Sequence, residues 1–399
     1  MAKGADTQPA PFAFRTAGTV VFGRGTRHRA ADAAAGFGRR VLLITGARSL
    51  AESGELDRAR EGLLSGGLAV EAWSVSGEPD VDAVDRGAAI AREWGAQAIV
   101  AIGGGSVLDA AKAIAAVTTN EGAAIDYLED LPGGGGRPLR KQPLALVAVP
   151  TTAGTGSEVT RNAVLRVPQA GLKRSMRDDR MLPRVAIVDP DLAATAPPHV
   201  AVAAALDALT HLIEAYVSLG AQPTTDLLAF EGARRATSAL RTLAEHRSGA
   251  GTWDNLALAS LWGGMALANA GLGAVHGLAA PLGGRCSIPH GAACAALLSP
   301  TIRANVDALR ARGRDAPALA RYGALAEALT GSSDPILLAE ELDALRRRLG
   351  AKPLGAYGAR GSDVSIIVAG ARGGSMKNNP VVLTDAELEG ILGGAMTET

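Results

Sequence analysis

Short runs that are apolar on both faces alternate with longer helical segments through the first half of the chain. That alternation limits the fold more than any other feature. Arg40–Thr45, Leu68–Val75, Ala98–Ile102 and Leu144–Val149 read as strands, and about Leu50–Leu64, Val81–Trp94 and Val107–Val117 read as helices. Such strands need cover on both sides, which predicts a largely parallel sheet between helical layers. Phe14–Phe22 reads as an edge strand closing at Gly23-Arg-Gly25, and Ala163–Val167 and Val185–Val188 are strand-like before Asp189-Pro190 breaks the pattern. Beyond His199 the chain is rich in Ala and Leu at helical spacing, and strand signals disappear. The expected division is an α/β domain over 1–193 and an all-α domain over 194–399.

With 399 residues and 47% apolar content the chain can bury the cores of two domains. Lys+Arg and Asp+Glu balance at 40 each, so no basic field points to nucleic acid or an anionic membrane. Apolar runs such as Pro143–Val149 are far too short to span a bilayer, and the N-terminus lacks the apolar core of a secretion signal. Residues 1–12 read as a disordered leader, and 119–142 as a loop-rich, exposed insertion around Pro132-Gly-Gly-Gly-Gly136. Two cysteines, Cys286 and Cys294, make no disulfide framework. They read as small buried thiols in a reducing compartment, with a ligand role open because both sit near His290. A soluble cytoplasmic protein is expected.

Asp207-Ala-Leu-Thr-His211 puts a carboxylate and an imidazole four residues apart, on one face of a helix. His276 and His290 follow in a Gly-rich segment, each with Gly next in sequence. One carboxylate and three imidazoles form a nitrogen/oxygen set that suits Fe²⁺ or Zn²⁺. A histidine on an apolar helix is more often a satisfied core residue, and that reading stands beside the metal reading.

Ile102-Gly-Gly-Gly-Ser106 lies where a strand gives way to a helix, the place where open α/β sheets bind phosphates. Glycines admit close approach, and the free amides of a helix start offer donors to an anion. Ser106 and Asp109 also fit a capping box, which needs no ligand. Thr151-Thr-Ala-Gly-Thr-Gly-Ser157 is a second loop of small and hydroxyl residues after a buried strand. Two such loops at one sheet edge favour a dinucleotide site.

Together these segments resemble the iron-dependent (group III) alcohol dehydrogenase family, nearly end to end from Phe14 to Met396. The resemblance is carried by Gly103-Gly-Gly-Ser-x-x-Asp-x-x-Lys112, Pro150-Thr-Thr-x-Gly-Thr-x-x-Glu158, Val188-Asp-Pro190, Asp207-Ala-Leu-Thr-His-x-x-Glu-Ala-Tyr216, His276 to His290-Gly, and Met376-Lys-Asn-Asn-Pro380. It implies an α/β N-terminal nucleotide-binding domain with a largely parallel sheet, an all-α C-terminal metal-binding domain, and a cleft between them. Asp207, His211, His276 and His290 are then the ligands of Fe²⁺ or Zn²⁺. Gly104, Gly105, Ser106 and Asp109 would hold the cofactor pyrophosphate, Thr151, Thr152 and Thr155 would line the cofactor further on, and Lys173 would reach its ribose. The implied activity is a metal-dependent alcohol dehydrogenase or aldehyde reductase, acting with NAD or NADP on a small alcohol or carbonyl compound. A homodimer or larger homo-oligomer is the family expectation.

Two positions depart from the family pattern. Ala280 stands where many relatives carry a histidine four residues after the third ligand, so a histidine relay there is excluded. Thr45-Gly46-Ala-Arg48 replaces the Asp that NAD-preferring relatives place against the ribose 2′-hydroxyl. Without that carboxylate a 2′-phosphate meets no like charge and Arg48 could pair with it, which predicts acceptance of NADP, with Gly46 at the ribose. The alternatives are a maleylacetate reductase-like enzyme, a dehydroquinate-synthase-like lyase using NAD transiently, and a metal-free oligomeric binding protein.

Overall fold

The computed structural model describes residues 10–131, 135–286, 288–312 and 317–397. Most of the leader (1–9) and part of the Pro/Gly-rich stretch (132–134) lie outside these. Among the described residues eight strands form: β1 (Thr19–Phe22), β2 (Arg40–Gly46), β3 (Ala69–Val75), β4 (Ala98–Gly103), β5 (Ala145–Pro150), β6 (Asn162–Val167), β7 (Leu172–Arg177) and β8 (Val185–Val188). Helices α1 (Ala30–Ala35), α2 (Ser49–Glu52), α3 (Glu55–Ser65), α4 (Val81–Trp94), α5 (Gly105–Thr119) and α6 (Pro190–Ala193) are interleaved with them. The remainder is helical: α7 (Pro198–Val217), α8 (Pro223–Ala244), α9 (Ala250–Ala270), α10 (Ala274–Arg285), α11 (His290–Arg312), α12 (Pro317–Thr330), α13 (Pro335–Arg348), α14 (Val364–Gly370) and α15 (Asp385–Met396).

Six strands make one sheet in the order β1-β8-β5-β4-β2-β3, with every neighbouring pair parallel. The period of two divides each central strand between two cores. Leu42 and Ile44 of β2, with Ile99 and Ala101 of β4, pack under α4 and α5. Val41, Leu43, Val100 and Ile102 face the opposite layer, beneath α1 and α3. Each fully buried Leu or Ile contributes about 1.5–3 kcal/mol, which is why these runs are apolar on both faces. The parallel α/β architecture is therefore the one expected, and no strand follows Val188 among the described residues.

Local departures have local causes. The helix expected over Leu50–Leu64 is broken into α2 and α3 by Gly54, whose φ of 74° is a left-handed conformation few side chains tolerate. The first strand is shorter than Phe14–Phe22 but does lie at the sheet edge. β6 leaves the main sheet and pairs antiparallel with β7, turning at Gly171. Its Ala163, Leu165 and Val167 face the core and Val164 and Arg166 face out, the alternation of a half-covered hairpin. β7 escaped the sequence reading because Leu172-Lys-Arg-Ser-Met-Arg177 carries three cations.

Helix α7 organises the second half by packing against α8, α9 and α11. It is long and apolar enough to cross a membrane, yet 72% of its apolar window is buried in the protein. Pro197 and Pro198 start it without a side-chain cap, and His199 lies exposed in its first turn.

Candidate metal centre

The buried face of α7 carries Asp207 and, one turn on, His211. Helix α10 brings in His276, and α11 begins at His290. Gly291 is needed for that approach: a Cβ there would lie 2.5 Å from the Ala203 carbonyl oxygen of α7. The structure gathers all four expected residues, with one ligand atom from each within 4.8 Å of the others. Asp207 Oδ1 is the common neighbour, at 3.4 Å from His276 Nε2, 3.6 Å from His290 Nε2 and 3.7 Å from His211 Nε2. The His211 and His276 rings stack with centroids 4.6 Å apart.

Whether these residues fit a cation can be tested on their unmet needs. Among the described residues Asp207 Oδ1 is buried without a hydrogen-bond partner, a costly state for a carboxylate oxygen. Burial alone would raise the Asp207 carboxyl, but His211, His290 and His276 outweigh it and hold it below the usual carboxylate range. Burial, reinforced by His276 and His290, lowers His211 to about 3, leaving a neutral ring with a lone pair to give. Against burial, Cys294 and Glu214 pull His276 well above its ordinary value. Cys294 and Asp207 raise His290 to about 9. A pocket that draws positive charge onto two of its imidazoles and keeps the third neutral is suited to a divalent ion instead.

Two further residues touch this group: Glu214, to which sequence reasoning gave no role, and Cys294, for which it left a ligand role open. Glu214 Oε2 lies 2.6 Å from His276 Nδ1. Its signal was its place on the α7 face, three residues after His211. Buried Cys294, one turn after His290, puts Sγ 3.6 Å from both His276 Nε2 and His290 Nε2. Cys286 lies away from the quartet, with Sγ near Asp363.

The nucleotide loops meet at the C-terminal edge of the sheet. β4 ends at Gly103 and α5 starts at Gly105, capped by no side chain. That overturns the capping box: Ser106 is already inside the first turn, so it cannot serve as the cap. A Cβ on Gly104 would touch Thr152 at 3.4 Å, and one on Gly105 would meet Thr155 at 2.7 Å, so the glycine and threonine loops lie face to face. Thr151 N–H donates to the Gly103 carbonyl, 3.0 Å away. Gly46 ends the adjacent β2. Bare helix amides beside a glycine cradle fit a pyrophosphate.

Two expected cofactor contacts have other partners. Asp109 accepts from Ser157 Oγ at 2.6 Å and from Val164 N–H at 2.9 Å, and pairs with buried Lys112 at 3.1 Å. It braces the Thr151–Ser157 loop, so a role at the pyrophosphate is indirect. Lys173 on β7 pairs with Glu78 at 2.7 Å and reaches to 3.0 Å from where a Cβ on Gly283 of α10 would stand. It therefore lies between the α/β half and the helix that carries His276.

Residues 17–190 match the family model described as iron-containing alcohol dehydrogenase, and residues 201–396 match that of the Fe-containing alcohol dehydrogenase family, C-terminal. Lactaldehyde reductase of Escherichia coli K12 is 34% identical over 357 residues, covering 88% of this chain and 91% of that one. Long-chain-alcohol dehydrogenase 1 of Geobacillus thermodenitrificans is 38% identical over 261 residues, and the match spans 65% of each protein. Among solved structures, sulfoacetaldehyde reductase of Bifidobacterium kashiwanohense in complex with NAD+ superimposes with a TM-score of 0.85 at 29% identity, covering 98% of this chain and 100% of that one.

Proposed function

The chain belongs to the iron-containing alcohol dehydrogenase family, and from that premise we propose that it interconverts a small alcohol and its carbonyl compound. A divalent ion held by Asp207, His211, His276 and His290 would supply Lewis acidity to the substrate oxygen, and NAD or NADP would exchange the hydride. The observation that carries this reading is the buried, unpartnered Asp207 Oδ1, with three imidazole nitrogens converging on it.

The chain's own residues have distinct tasks. Asp207, His211 and His276 are buried, whereas the His290 side chain is 44% exposed, so substrate reaches the quartet from the His290 side. Gly104, Gly105, Ser106, Thr151, Thr152 and Thr155 hold the dinucleotide, while Asp109 and Lys112 fix the loop that presents the threonines. Ala280 offers no group to carry a proton, which leaves water to move the substrate's proton. The test is a panel of short aldehydes assayed with NADH and NADPH after loading with Fe²⁺ or Zn²⁺. Turnover that needs both the ion and a reduced nicotinamide is expected, and ion-independent turnover or none at all would overturn the reading.

The cofactor is proposed to be NADP as readily as NAD. Arg48 is exposed just past the end of β2. A Cβ on Gly46 would touch only Val107, at 3.8 Å, so an aspartate fits there without disturbing the fold. Gly46→Asp is expected to lower the NADP/NAD ratio of kcat/KM by about tenfold or more, the effect of 1.4 kcal/mol of like-charge opposition at a 2′-phosphate. An unchanged ratio would refute this part of the proposal.

We also propose a cytoplasmic protein that forms a homodimer or larger homo-oligomer. Two free cysteines suit a reducing compartment. Leu219 and Leu227, 69% and 76% exposed and close in sequence, suit burial against a second copy. A monomer by light scattering would contradict the assembly.

A further inference from the structure

We infer that Glu214 and Asn379 form a clamp on the first turn of α10 that aims His276, which makes Glu214 a positioning residue for the metal centre. The inference rests on the metal reading above. Helix α10 starts after Gly273, which has no side chain to cap it, although a helix start leaves four N–H groups without partners. Two of these are met from distant segments. Ala274 N–H donates to Asn379 Oδ1 at 3.0 Å, and Val275 N–H donates to Glu214 Oε1 at 2.7 Å. The other Glu214 oxygen lies 2.6 Å from His276 Nδ1.

A carboxylate ion only accepts, so in the neutral ring this contact keeps the His276 proton on Nδ1 and leaves the Nε2 lone pair free. That Nε2 is the atom 3.4 Å from Asp207 Oδ1. Glu214 can serve because it follows Asp207 by seven residues, two turns along the same face of α7. Its charge also stands at the helix N-terminus, where an anion is favoured.

Asn379 is itself fixed. It exchanges amide hydrogen bonds with Asn305 of α11, at 2.7 and 3.2 Å, and donates to the Val381 carbonyl at 2.8 Å. Asn305 in turn donates to Tyr322 OH of α12 at 3.0 Å. The direction of His276 is thus set by α7, α11, α12 and the C-terminal segment. Gly273 is part of the device: a Cβ there would stand 2.8 Å from Asn379 Oδ1 and 2.9 Å from Glu214 Oε1.

The probe is Co²⁺ binding to metal-free protein, followed by chelator competition and by the visible d–d absorption. Glu214→Gln keeps the side-chain size, but its amide can donate to Nδ1 and admit the tautomer with the proton on Nε2. Affinity for Co²⁺ is expected to fall ~10–100-fold with a changed d–d spectrum, the usual consequence of losing such a partner. Melting of the metal-free protein and the fluorescence of bound NADPH should match wild type, which a general loss of structure would not allow. Gly273→Ala removes no donor but pushes both oxygens off the helix start, and it should weaken Co²⁺ in the same sense if Glu214→Gln fails to fold. Unchanged affinity and spectrum in the folded variant would overturn the clamp while leaving the metal centre intact. A wild-type chain that takes up no Co²⁺ would sink the metal reading and the clamp together.

Discussion

Asp207→Asn is expected to strip the protein of its ion and to lower kcat/KM for carbonyl reduction by on the order of 10³, or ~4 kcal/mol of lost transition-state stabilisation. Asp207 is the only anion in the quartet, and the other three donors are each placed relative to its Oδ1 within 3.7 Å. An amide of equal size keeps the packing but offers a weaker donor and no charge against a dication. Nicotinamide binding should survive, because an amide of equal size leaves in place both the packing of Gly154 on Ala204 of α7 and the approach of Gly105 to Thr155. Metal analysis, NADPH titration and steady-state kinetics on one preparation separate these effects. Wild-type metal content in the variant would show that Asp207 does not hold the ion.

The convergence of the four candidate ligands was legible because half of it is local. Asp207 and His211 are joined by helical spacing, and each remaining histidine is marked by the glycine that follows it. The sheet was legible for a similar reason, since a strand covered on both faces must be apolar throughout. Contacts set by tertiary approach were not. Nothing near Glu214 announces that it will meet a ring 62 residues later, and Asn379 reaches the start of α10 across 105 residues. Asp109 shows the opposite failure. Its spacing from Ser106 suggested a cap, yet Ser157 and Val164, brought in by later segments, take its oxygens. Local propensity also missed the helix break at Gly54 and hid the charged strand β7, where pairing with β6 outweighs composition.

Gly264→Ala should lower the melting temperature and raise the nucleotide KM while leaving the ion in place. Gly264 of α9 lies against Gly156 of the threonine loop, backbone to backbone. A Cβ on Gly264 would stand 2.5 Å from the Gly156 carbonyl oxygen and 2.7 Å from its Cα, with Val159 at 2.8 Å. Backbone atoms cannot rotate away as a side chain can, so the loop or the helix must shift, at a cost of about 1–3 kcal/mol. The loop is the softer partner, and Thr155, which packs against Gly105, moves with it. A displaced Thr155 opens the cradle that holds the pyrophosphate, so nucleotide KM is expected to rise about tenfold, equivalent to ~1.4 kcal/mol. Gly393→Ala is the control: a Cβ there meets nothing within 4 Å, and alanine in the middle of α15 should stabilise by ~0.5–1 kcal/mol. If both variants melt together and bind NADPH alike, the helical domain does not press on the cofactor loop through this pair of glycines.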